Sequence, residues 1–138
     1  MLSLSVFCFT NCVTYDVSVY SQIDNSEKTI SIPIGGGETL KTIKDSLIKD
    51  GWEIFTYRNA GEITNKNEQT EITKLIFPSR YTLYLEIYKP NYVGAVWGFN
   101  TSLVDNKTSK EVFNIGGENT YIQQKELASL ILSQIQKK

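Results

Sequence analysis

The sequence of 138 residues contains no histidine. That removes the most frequent general base, the usual partner of a serine or cysteine nucleophile, and the commonest metal ligand. Cysteine is scarce too: the two present, Cys8 and Cys12, both fall within residues 1–12. Beyond Cys12 the chain can build neither a disulfide framework nor a thiolate zinc site. Lysine and arginine (14) nearly balance aspartate and glutamate (15). The chain therefore lacks the basic footprint with which nucleic-acid binders displace counterions. No apolar run approaches the ~20 residues of a membrane-spanning helix, and no lysine or arginine occurs before Lys28.

What is present describes one small folded domain over residues 13–138. Hydrophobic residues make up 41% of the chain, with 8 Tyr, 6 Phe and 2 Trp, which excludes disorder as the main state. Val13, Tyr15, Val17 and Val19 alternate with polar neighbours, as a half-buried strand does. Ile30, Ile32 and Ile34 repeat the pattern, and Pro33 marks a strand end or an edge. Residues 38–50 have helical periodicity, with Leu40, Ile43, Leu47 and Ile48 expected on the inner side. Gly51 supplies a left-handed stop, and Trp52 and Ile54 open the next strand. The polar stretch Asn59–Thr70 is expected to be a loop, and Ile72–Pro78 a short strand. Tyr81, Leu83, Leu85 and Ile87 alternate strongly. Ala95, Trp97, Phe99, Thr101 and Leu103 are expected on one face of a long strand, whose hairpin partner is Lys110–Ile115. A closing helix is expected over Tyr121–Gln136. Strands in hairpins with two helices predict an α+β two-layer sandwich, its sheet mostly antiparallel and both helices on one face.

Motifs of bond-making chemistry are missing. No Gly-x-Ser-x-Gly elbow or His-Glu-x-x-His helix occurs. The carboxylates that could serve a hydrolase (Asp45, Asp50, Glu62, Glu68, Glu86, Glu111) are scattered over expected surfaces. Gly35-Gly36-Gly37-Glu38-Thr39 sits before a helix but lacks the Gly-Lys-Ser/Thr of a phosphate loop, so it reads as a strand-to-helix connection. No catalytic residue, metal site or cofactor is expected, and the protein reads as a non-enzyme.

Binding is a better prospect. Tyr84 and Tyr88 fall opposite the Leu83–Ile87 stripe. With Tyr92 and Trp97 they form a candidate surface for a glycan, a peptide or a partner strand. More often, such side chains simply pair across strands on an open sheet face. Asn100-Thr101-Ser102 and Asn106-Lys107-Thr108 match the glycosylation pattern, a short motif that carries little weight by itself.

Two resemblances give the chain a setting. Leu2, Leu4, Val6, Phe7, Cys8 and Phe9 make an apolar run that stops before Cys12, and Phe9-Thr10-Asn11-Cys12 resembles the lipobox of bacterial lipoproteins. Asn11 stands where Gly, Ala or Ser is usual. Residues 1–12 are thus expected to be the remnant of a signal peptide whose basic start lies upstream of Met1, with Cys12 as the lipidation site. The alternative leaves both cysteines as plain thiols. Further on, Leu40-Lys-Thr-Ile43-Lys-Asp-Ser-Leu47-Ile-Lys-Asp-Gly51-Trp52, the hairpin around Val104–Val112 and the closing helix resemble small periplasmic lipoprotein domains. The TolB amino-terminal domain and the curli-secretion lipoprotein are similar in layout. The resemblance implies a palmitate-type lipid anchor and a bacterial envelope location, on the outer membrane facing the periplasm. It also implies a non-enzymatic role in binding or assembling another envelope component, protein or glycan. An inhibitor or immunity-type binding protein of the periplasm is the alternative.

Overall fold

The computed structural model describes residues 15–35, 37–58, 77–88, 94–118 and 120–137. Asp16–Val19 (β1) and Thr29–Pro33 (β2) lead into Gly37–Lys49 (α1), followed by Glu53–Tyr57 (β3) and Tyr81–Tyr88 (β4). Ala95–Val96 (β5), Gly98–Asp105 (β6), Lys110–Gly117 (β7), Ile122–Gln123 (β8) and Gln124–Ile135 (α2) complete the chain order. Six strands form one sheet in the order β1-β7-β6-β4-β2-β3, while β5 and β8 pair in a small ribbon. The pairings of β1, β7, β6 and β4 are antiparallel; β2 runs parallel to both β3 and β4. The expected α+β architecture is borne out.

Period-two alternation explains the sheet's two faces. Leu83 of β4, Leu103 of β6 and Phe113 of β7 lie in one cross-strand row, and each is fully buried. They join Leu40, Ile43 and Leu47 of α1 and Leu127, Ile131 and Ile135 of α2 in a single apolar cluster. One face of the sheet is thereby consumed by the helices.

The helix α1 ends as its sequence demands. Gly51 adopts φ +85°, and its N–H donates to the Ile48 carbonyl at 3.1 Å while that of Trp52 donates to Leu47 at 2.9 Å. This is the Schellman arrangement, completed by burial of both Trp52 and Leu47. Ile48 is 58% exposed, against expectation, and Thr39 is buried. A step from Leu47 to Ile48 turns 100° around the helix, enough to leave the narrow inner stripe.

Two further expectations are corrected. The strand expected through Ala95, Trp97 and Phe99 is broken: β5 pairs with β8, and β6 begins anew at Gly98. Ala95 and Phe99 are buried, but Trp97 at the break is turned outward. The closing helix starts at Gln124, three residues late, because Ile122 pairs with Val96 and the Gln124 N–H donates to the Gly94 carbonyl. Pro33 is the last residue of β2, which lies inside the sheet, so it ends the strand and does not sit on an edge. The expected Asn59–Thr70 loop, most of the Ile72–Pro78 strand, Cys8, Cys12 and Tyr92 lie outside the described residues.

Candidate functional site: the open face of the sheet

The face away from the helices is built by the alternate residues of each strand. Register places Tyr84 of β4 beside Ser102 of β6, Asn114 of β7 and Ser18 of β1, one row across four strands. The next row is Glu86, Asn100, Gly116 and Asp16, and Tyr88 stands opposite Gly98. Beyond β2, whose Pro33 is in register with Tyr57, β3 contributes Tyr57 to the same side.

Tyr84 and Tyr88, singled out by alternation, are 42% and 41% exposed on this face. Neither ring hangs free. Tyr84 meets Tyr57 at 6.1 Å and Phe77 at 6.4 Å between ring centroids, and Tyr57 meets Phe77 edge-on at 5.1 Å. Such tilted contacts suit the aromatic quadrupole and fix ring orientation. The Tyr57 hydroxyl donates to the Leu83 carbonyl at 2.7 Å, and burial drives its pKa strongly upward. Tyr88 lies over Gly98, where an added Cβ would come within 3.2 Å of its ring. A hydrogen bond with Glu86 is the largest cause of the raised pKa of Tyr88, so its phenol stays neutral. Trp97 is 49% exposed but its ring contact is elsewhere, edge-on to Tyr121 at 4.9 Å.

Beside the rings lies a polar ladder that alternation on a single strand could not reveal. The Asn114 Nδ2 donates to Asn100 Oδ1 at 2.9 Å and to Ser102 Oγ at 2.7 Å. Asn100 is exposed. Tyr57, Phe77, Asn100 and Asn114 join the face only once register is known; the expected β6–β7 hairpin brings Asn100 and Asn114 onto neighbouring strands without fixing that they meet.

Several titratable groups elsewhere are engaged in ion pairs. Arg80 Nε and Nη2 clamp the two oxygens of Asp105 at 2.9 and 3.0 Å, and its Nη1 reaches Asp24 at 3.3 Å and Glu27 at 3.2 Å. The Arg80 hydrogen bond is the main cause that holds Asp105 below its ordinary pKa. Lys41 pairs with Asp45 at 2.7 Å along α1. Among the described residues no three His, Cys, Asp or Glu side chains gather to hold a metal, and no helix is long and apolar enough to cross a membrane.

No family model matches the chain, and no curated protein matches it by sequence. Solved structures do resemble it. Its fold is similar to that of PelC. A point variant of the PelC dodecamer from Paraburkholderia phytofirmans aligns at a TM-score of 0.51 and 14% identity, covering 91% of this chain and 99% of that one. A second crystal form of the PelC dodecamer from the same organism gives 0.50 and 16%, with the same coverage. At such identity the likeness is one of fold alone.

Proposed function

We propose that the protein is a non-enzymatic component of the bacterial envelope, held to a membrane by lipid on Cys12, and that its open sheet face binds or helps assemble another envelope component. The observation that carries this reading is where the chain enters the fold. Asp16, a few residues after Cys12, is in register with Gly116, and Gly117 with Phe99. The exposed pair Trp97 and Tyr121 is therefore reached from the same end of the sheet. Indole and phenol rings favour the headgroup level of a bilayer, where one part is wet and the other apolar. An anchor at Cys12 would bring that end to the lipid and leave the sheet face lateral and accessible.

The absence of histidine and the engagement of Asp24, Asp45 and Asp105 in ion pairs support a role without bond-making. The PelC structures named above are dodecamers, which supports action in several copies on a similar fold. Outer-membrane placement facing the periplasm belongs to the same proposal.

The test expresses the complete precursor in a Gram-negative host with a clickable fatty acid. Label on the parent, no label on Cys12→Ala, and transfer of that variant to the soluble fraction are expected, since each buried CH₂ of an acyl chain contributes about 0.8 kcal/mol of membrane affinity. Unchanged membrane partitioning of Cys12→Ala would remove the anchor.

A further inference from the structure

We infer that the open face takes an uncharged, extended glycan chain, lying across the strands along the row Tyr84, Ser102, Asn114 and Ser18. This rests on the reading of that face as the working surface and names what it holds. The charge pattern is the first argument. Strand residues of this face include the carboxylates of Asp16, Glu53, Glu86 and Glu111, and no lysine or arginine among the described residues. Lys110, the one cation in the six strands, is in register with Asp105, whose side chain belongs to the buried alternation of Phe99 and Leu103. Anionic partners (nucleic acid, acidic lipid headgroups, acidic glycans) are disfavoured by such a face, because nothing repays the desolvation of their charge.

The same pattern disfavours a strongly basic partner and a second copy of this face. The four carboxylates sit on four different strands, and Glu86 is engaged by Tyr88. They form no cluster that could bind a run of cations. Two such faces pressed together would oppose carboxylate to carboxylate with no cation to offset them.

What lies between the carboxylates is uncharged and suited to hydroxyls. Ser18, Ser102, Asn100 and Asn114 offer both donors and acceptors. Across β4, β6, β7 and β1 the row extends about 14 Å, at roughly 4.8 Å per strand. Its start is the ring of Tyr84, steadied by Tyr57 and Phe77. Tyr88 stands about 13 Å along β4 from Tyr84 at some 3.3 Å per residue. Gly98 and Gly116 bring no side chain to the neighbouring positions. A sugar ring has an apolar face for a tyrosine and a rim of hydroxyls for amides; the face provides both in adjacent rows. Rings already fixed by their neighbours lose little freedom on binding.

The experiment titrates the parent with cellohexaose, chitohexaose and maltohexaose by calorimetry and maps amide shifts by NMR. Binding of at least one hexaose is expected, with shifts centred on residues 84–88, 100–102 and 114–116. Tyr84→Ala should weaken it about three- to tenfold through the lost ring contact, with the dispersed amide spectrum of the folded sheet retained and a melting midpoint lowered only by the loss of its contacts with Tyr57 and Phe77. Asn100→Asp keeps the acceptor for Asn114 but removes an outward donor and should also weaken binding. Binding by none of the three, or shifts confined to another surface, overturns the proposal. So does tighter binding of an oligolysine peptide or an acidic oligosaccharide at this face. Neither failure touches the Cys12 labelling, so the anchor and the glycan stand or fall separately.

Discussion

The fate of individual charges decides much about this protein, and Arg80 is the clearest case. Its guanidinium is 11% exposed and Asp105 is 12% exposed, so their two-pronged pair is largely screened from solvent. Bidentate geometry is the form of ion pair with real stability in it. Asp24 and Glu27 add partners from the connector between β1 and β2, and the Arg80 group lies 5.4 Å over the Tyr81 ring. Asp105→Asn should therefore cost about 1.5–3 kcal/mol, the range for a hydrogen bond to a charged group, read from denaturant melts. The pH dependence has a definite sign. The pKa of Asp105 is depressed on folding, so its contribution is present above the ordinary carboxylate value and lost as pH falls through the folded value. Parent stability should decline below about pH 4, and the decline should be shallower in Asp105→Asn. An identical acid limb in both proteins would show that Asp105 is not the group responsible.

At the scale of elements, local signals and long-range register part company. Gly51 at φ +85° closes α1, and an L side chain there meets the left-handed penalty. Gly51→Ala should lose about 1–2 kcal/mol, while Gly51→Asn should lose less, since asparagine tolerates that region. Equal losses for the two would point to a contact of the missing side chain instead of backbone strain. That stop was legible because helix ends are written in neighbouring residues. So were β4 and β6, with Tyr84 and Tyr88 outward, because alternation fixes the face of a single strand. The parallel seat of β2 between β3 and β4 was not legible: β2 and β4 are separated by α1, β3 and the residues between, and no local pattern encodes that pairing. The break at Trp97 escaped for the same reason. Ala95, Trp97 and Phe99 are spaced like one face of a single strand, whereas the pairing of Ala95 and Val96 with Gln123 and Ile122 diverts the chain. Half of the candidate face was hidden likewise, since Asn100 and Asn114 meet only through the register of β6 on β7.

For the molecule as a whole, the apolar cluster makes a demanding prediction. Leu47 of α1 and Ile131 of α2 are both fully buried in it, together with Leu83, Leu103 and Phe113 of the sheet. A single core shared by both layers should unfold as one unit. Ile131→Ala removes three methyl or methylene groups and leaves a cavity, at a cost of about 2–5 kcal/mol. Against a total of roughly 5–15 kcal/mol for a domain of this size, the melting midpoint should fall substantially. Trp52 is 4% exposed beneath α1, remote in sequence from Ile131. In a Trp97→Phe background its fluorescence reports the α1 side alone. That signal and the far-ultraviolet circular dichroism of both helices should shift together in Ile131→Ala, along one transition. If Trp52 kept the parent midpoint while helical signal was lost earlier, α2 would be a separate unit docked on a core that survives without it. The sandwich would then have two cores, not one.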